Sequence, residues 1–264
     1  MKPQIDFLGR QISTYALFSA IGILLSVWLL CFLLKKIGYP DSEGIYLVLI
    51  SAGGAFLGSH ILYGITRLGD FSQIVQQKPF YIAFVEIFGG SVFYGGLLGG
   101  ILAGYIYLKC AKLEISVYSD ISAVCMPLFH SFARVGCFFA GCCYGKEAEF
   151  GFSSSENAYI PDVVGVVRFP VQLCEAMCNF VLFVVLLLLF RNAVLTGKGK
   201  GRLFFVYLLS YSVIRFTLEL FRGDLIRGIW WGLSTSQWIS IMIFITVIVM
   251  ITVNKLKSKK SFEN

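Results

Sequence analysis

Long apolar runs set the terms for this chain. Seven of them, near residues 14–34, 45–66, 88–108, 117–140, 171–190, 203–221 and 236–254, approach or exceed the length an α-helix needs to cross hydrocarbon, roughly 20 residues. Hydrocarbon offers no water to backbone amides, so such a run must satisfy its own hydrogen bonds, and a helix does this within one segment. Hydrophobic residues make up 57% of the chain and charged residues 14%, which excludes an ordinary soluble domain. The expected fold is therefore an all-α membrane protein with about seven transmembrane helices, forming a single integral membrane domain over residues 1–264. The first run follows a short polar N-terminus without a small-residue cleavage site, so it reads as a retained span.

Basic residues orient the bundle. Arg134 and Arg215 fall inside apolar runs; the other Lys and Arg residues divide between the two faces. Lys35, Lys36, Lys109, Lys112, Arg191, Lys198, Lys200, Arg202 and the tail lysines 255, 257, 259 and 260 share the face of the C-terminus. Lys2, Arg10, Arg67, Lys78, Lys146, Arg168, Arg222 and Arg227 share the other. The richer face is cytoplasmic by the positive-inside rule, leaving the N-terminus outside. The net charge of +7 mostly reflects this bias and suits an anionic lipid bilayer; no nucleic acid partner is expected.

Polar side chains at membrane depth are costly and mark function. In the stretch HSFARVGCFFAGCCYG (130–145), His130 and Arg134 are four residues apart and share a helix face. His130 reads either as a packing histidine or as a proton carrier. Arg134 reads either as half of a salt bridge, with Asp120 or Glu219, or as an anion-binding group. In YSVIRFTLELFR (211–222), Tyr211, Arg215 and Glu219 form one stripe, and Arg215 and Glu219 are placed to neutralise each other. Two arginines from two spans also make a good clamp for one phosphate, because guanidinium is fork-shaped and permanently charged. Gln172 and Glu175, after Pro170, extend the polar lining from a further helix. In the glycine-rich stretch 89–100, Gly95, Gly96, Gly99 and Gly100 read as close helix packing, or as an opened helix start beside Tyr94. Cys137, Cys142 and Cys143 cluster without a C-x-x-C pair and with only His130 nearby, so neither a metal nor a cofactor is assigned.

These segments together resemble the prolipoprotein diacylglyceryl transferase family of bacterial membrane enzymes. FLGSHILYG (56–64), FYGGLLGG (93–100), ARVGCFFAGCCYG (133–145), FPVQLCE (169–175) and YSVIRFTLELFR (211–222) follow the family's motifs in order, and Tyr15 sits where the family has a first-helix tyrosine. The resemblance implies transfer of the diacylglyceryl group of phosphatidylglycerol to the lipobox cysteine thiol of a preprolipoprotein, with glycerol phosphate leaving, in a multi-pass protein of the bacterial cell membrane. Its partners are then phosphatidylglycerol, the signal peptide of the preprolipoprotein and the bilayer itself. It further implies Arg215 and Tyr15 as catalytic groups; Tyr94, at the position of the family's histidine, and His130, one turn before Arg134, are the other catalytic candidates. Arg134, Cys137, Gly145, Gly95, Gly96, Gln172, Glu175, Tyr211 and Glu219 are implied in substrate binding. The chain departs from the pattern where Tyr94 replaces a histidine, Cys137 an asparagine, Cys142 a glutamate and His60 an arginine. Tyrosine ionises only near pH 10, so His130 is the expected proton acceptor, unless the arginines activate the substrate thiol unaided. Two other readings follow from the departures: a divergent relative with another acceptor, and a carrier of anionic lipid.

Overall fold

The computed structural model describes residues 2–7, 9–71, 74, 76, 78–154, 160–196, 201–224 and 228–263. Lys198, Lys200 and Arg227, used above for orientation, lie outside the described residues. The described residues are mostly helical, with short strands and connecting turns, and the chain divides into two compact units: residues 30–118, and residues 1–29 with 119–264.

The unit of residues 30–118 is built on α2 (Asp41–Thr66), α3 (Phe80–Phe88) and α4 (Phe93–Cys110). Residues 88–108 were expected to form one continuous span. Instead α3 ends at Phe88, Gly89–Val92 breaks the helix, and α4 starts at Phe93. Two groups of α2 hold the break: the Ser59 carbonyl accepts from the Val92 amide at 3.1 Å, and His60 Nδ1 lies 2.8 Å from the Phe88 carbonyl. His60 thus serves the backbone at the end of α3.

Beyond the break, α2 and α4 cross with their backbones almost touching. A Cβ on Gly58 would lie 2.3 Å from the Gly95 carbonyl oxygen, and one on Gly99 would lie 2.3 Å from that of Gly54. Packing of small residues, one of the two readings of this stretch, accounts for Gly95 and Gly99. Replacing Gly58 with alanine should therefore force the crossing open. The expected cost is about 1–3 kcal/mol, read as a lower thermal midpoint of the purified protein.

The other unit opens with a hairpin, β1 (Gln4–Phe7) paired antiparallel with β2 (Arg10–Ser13), where a plain polar N-terminus was expected. It continues into α1 (Thr14–Lys36), whose start is tied back when the Thr14 amide and hydroxyl both donate to the Pro3 carbonyl at 3.0 Å. α5 (Ile115–Ala140) crosses α1 closely: a Cβ on Gly22 would meet Phe132 Cβ at 2.8 Å, and one on Gly136 would meet Tyr15 Cα at 3.1 Å. Then follow β3 (Glu147–Phe152), α6 (Val171–Thr196), α7 (Leu203–Glu219), the short pair β4 (Ile229–Trp230) and β5 (Leu233–Ser234), and α8 (Thr235–Glu263). Leu182, Leu186, Phe190 and Tyr207 are buried in the packing of α6 with its neighbours.

Asp120 does not pair with Arg134. Its carboxylate accepts from the Gly201 amide at 2.6 Å and the Phe204 amide at 3.0 Å, satisfying donors left over at the start of α7.

Among the described residues, five helical segments are long and apolar enough to cross a membrane: Thr14–Lys36, Asp41–Thr66, Ile115–Ala140, Val171–Ala193 and Thr235–Val253. Their outer faces are apolar too. Leu24 is 70% exposed, Trp28 63% and Met177 64%. Such faces are unfavourable in water and are satisfied by lipid.

Candidate active site

In the unit formed by residues 1–29 and 119–264, three helices bring charge to one buried place. α5 contributes Arg134, α6 contributes Glu175, and α7 contributes Tyr211, Arg215 and Glu219. Pro170 ends the preceding extended segment, so that Glu175 falls in the second turn of α6 and points inward, only 2% exposed.

Glu175 is the hinge of the cluster. One carboxylate oxygen lies 3.0 Å from Arg134 Nε, and the other lies 3.6 Å from Arg215 Nη1. Arg215 Nη2 also pairs with Glu219 at 2.5 Å and donates to Ser236 Oγ at 3.0 Å. The Arg215–Glu219 neutralisation anticipated from helical spacing is therefore present, whereas the partner of Arg134 is neither Asp120 nor Glu219 but Glu175. Ion pairs this buried persist only when each charge is matched, since desolvation costs several kcal/mol per ion.

A third arginine, Arg222, belongs to the cluster although the sequence reading did not assign it to the site. Its Nε and Nη2 grip Asp224 at 3.0 and 2.9 Å, and its Nε is 4.0 Å from Glu219. The signal lay in plain view: Arg222 follows Glu219 by three residues and Arg215 by seven, a helical spacing, and it comes just past the end of α7. The cluster thus holds three guanidiniums against three carboxylates. Arg215 Nη1 and Arg222 Nη1 are buried with no hydrogen-bond partner among the described residues. Those orphaned donors are suited to an anion that brings acceptor oxygens with it.

His130 lies one turn from Arg134. Its ring centroid is 5.2 Å from that of Tyr211, which stacks in turn on Tyr207 at 5.8 Å, and its Nδ1 is buried without a partner among the described residues. The Tyr211 hydroxyl faces the Arg134 guanidinium.

The segment after α5 is held on two sides, by a side chain of α6 and by the backbone after α7. Gln172 Nε2 donates to the Cys142 carbonyl at 2.9 Å, so its side-chain amide serves the protein itself. The Gly223 amide donates to the Tyr144 carbonyl at 3.0 Å, and the Lys146 amide to the Phe221 carbonyl at 2.9 Å. Gly145 sits between these layers, where a Cβ would come within 2.1 Å of the Phe169 carbonyl oxygen. Only glycine fits there, which explains Gly145 as a packing requirement of the site wall. Arg168 braces the same wall, its guanidinium 4.5 Å above the Tyr144 ring and 3.3 Å from the Gly145 carbonyl. Cys137 is buried in the last turns of α5. The Cys143 thiol is held below its ordinary range by hydrogen bonds with Cys137 and then Cys142, with the charges of Arg222 and Arg134 adding to the effect.

Tyr15 lies in this same unit; its backbone packs against Gly136 and the residue is 44% exposed. Tyr94, Gly95 and Gly96 belong to the unit of residues 30–118. Gly95 is buried in the α2–α4 crossing, and a Cβ on Gly96 would meet the Ala55 carbonyl oxygen at 3.3 Å.

Apolar helices with an outward lipid-compatible surface, and a nest of arginine and carboxylate buried among them, define an integral membrane protein with a charged site inside its helices. Comparison with known proteins makes the class specific. The family model described as prolipoprotein diacylglyceryl transferase matches residues 4–253, so the chain belongs to that family. It is 30% identical over 262 residues to the phosphatidylglycerol–prolipoprotein diacylglyceryl transferase of Clostridium tetani, covering 98% of this chain and 100% of the relative. It is 32% identical to transferase 2 of the same description from Clostridium perfringens, covering 97% and 96% of the two chains. It is 30% identical to that of Bacillus cereus, covering 96% and 93%.

Proposed function

We propose that this protein transfers the diacylglyceryl group of phosphatidylglycerol to the lipobox cysteine of preprolipoproteins. It does so as one integral membrane domain of seven spans in the bacterial cell membrane, with its N-terminus outside and its C-terminus cytoplasmic. The observation that carries the chemistry is Glu175 joining Arg134 and Arg215, which puts two guanidiniums within reach of one phosphate.

In the reaction, the substrate sulfur attacks the glyceryl carbon next to the phosphate. A carbon–sulfur bond forms, the carbon–oxygen bond breaks, and the electron pair leaves with glycerol phosphate. The phosphate passes from one negative charge to two. A clamp of Arg134 and Arg215 therefore stabilises the transition state more than the bound lipid, which is the condition for raising the rate. The nucleophile is the substrate's own thiol, so the enzyme need supply only charge, position and a proton acceptor.

His130 takes that proton. It stands a turn from Arg134, buried, with Nδ1 uncommitted to any described neighbour. His130→Ala is expected to lower transfer by roughly 10²–10⁴-fold, the range for loss of a general base. Labelled prolipoprotein and phosphatidylglycerol vesicles provide the assay, and undiminished activity would assign the proton elsewhere. Tyr15, Tyr94 and Gly96 are assigned to substrate handling, while Tyr211, Glu219, Gln172, Gly145 and Cys137 support the clamp. Complementation of a strain depleted of its diacylglyceryl transferase tests the whole reading: a well-expressed protein should restore lipidated lipoproteins, and failure would favour a different acceptor.

A further inference from the structure

We propose that Cys137, Cys142 and Cys143 form a three-thiolate site for one thiophilic metal ion of the zinc or copper(I) class. The three sulfur atoms all lie within 4.8 Å of one another. Zinc–sulfur bonds of about 2.3 Å in a tetrahedron put the sulfurs about 3.8 Å apart, so small side-chain rotations close the present spacing around an ion. Soft sulfur donors select zinc and copper(I) over magnesium or calcium.

The spacing C-x4-C-C hides this convergence, and the backbone explains it. Cys137 sits in the closing turns of α5. Gly141 then adopts φ +78° and Cys143 φ +58°, and these two left-handed residues turn the chain back so that Cys142 and Cys143 face Cys137. A left-handed non-glycine residue costs about 1–2 kcal/mol, so Cys143 keeps its place only because the loop is braced. The bracing is the Gln172 bond to the Cys142 carbonyl and the Gly223 bond to the Tyr144 carbonyl. The donor set is thus organised before any ion arrives. Cys142 also lines a cleft with Pro3, Gln4, Ser13, Ala140 and Ile160, which gives an ion a way in.

Charge and stoichiometry favour a metal over a disulfide. Three thiolates around a divalent ion carry one net negative charge, and Arg134 and Arg222 both lie within electrostatic reach of Cys143. Any disulfide among three thiols leaves one thiol over, whereas one ion engages all three.

The test uses full-length protein, reduced and metal-free in detergent, titrated with Cd²⁺ and then Zn²⁺. One equivalent of Cd²⁺ should saturate a thiolate-to-metal absorption band in the ultraviolet. Zn²⁺ should shield Cys137, Cys142 and Cys143 from alkylation, read peptide by peptide, while exposed Cys110 stays reactive. This arm needs no variant. Single Cys→Ser variants at the three positions should each weaken binding on the order of 100-fold or more, at least the loss expected for a supporting residue. Binding without saturation near one equivalent, or binding unchanged in all three variants, would overturn the site. So would a disulfide within the trio that forms despite excess Zn²⁺. Diacylglyceryl transfer is read in a separate assay, so failure of the metal site and failure of the proposed function are distinguishable.

Discussion

Replacing Arg134 or Arg215 with alanine is expected to reduce transfer from phosphatidylglycerol to a lipobox peptide by roughly 10²–10³-fold, the loss seen when one preorganised donor to a developing anion is removed. Both guanidiniums are built into the cluster by opposite oxygens of Glu175, so removing either leaves the phosphate with one arm of the clamp. Lysine should not rescue either position. Arg215 uses Nη1 toward Glu175 and Nη2 toward Glu219 and Ser236, a fork that a single ammonium cannot reproduce. The double alanine variant should be little worse than the poorer single one, since groups acting as a unit are not additive. Initial rates in vesicles of fixed phosphatidylglycerol content measure this, and activity within a few-fold of the parent in either variant would rule out the clamp.

Glu175 should show the opposite balance between stability and lipid affinity. Its carboxylate neutralises two guanidiniums while only 2% exposed, so Glu175→Ala is expected to cost about 3–5 kcal/mol, the range for breaking a buried pair. Glu175→Gln keeps the volume but leaves three guanidiniums facing only Glu219 and Asp224. That variant should unfold at a lower temperature in lipid-free detergent yet gain more from added phosphatidylglycerol than the parent does, because an anion now supplies the missing charge. Its KM for the lipid should fall. A rise in KM with an unchanged thermal midpoint would mean that Glu175 touches substrate directly and does not act by neutralising the arginines.

Much of this was readable in the residues, for reasons that differ from element to element. Apolar length predicts helices over 14–34, 45–66, 117–140, 171–190, 203–221 and 236–254 because hydrocarbon leaves a spanning backbone no alternative, and helices cover these stretches except for the last two residues of 203–221. The same logic failed at 88–108. The glycine-rich stretch did suggest an opened helix start beside Tyr94, and α4 does begin at Phe93; what no local window contains is that Ser59 and His60 of α2 hold the two ends of the break, at Val92 and Phe88. Pairing of Arg215 with Glu219 followed from their spacing of four. Pairing of Arg134 with Glu175 did not, because it joins α5 to α6.

By itself, then, the sequence determined the membrane class, the helices and the charged stripe of α7, since each depends on the chain's near neighbours and on its solvent. Tertiary structure alone decided which carboxylate stands between the arginines, that Arg222 joins them, and that three cysteines scattered over seven residues meet at one point. Charges buried in a low-dielectric interior must find partners wherever the fold supplies them, and sequence distance sets no limit on that search.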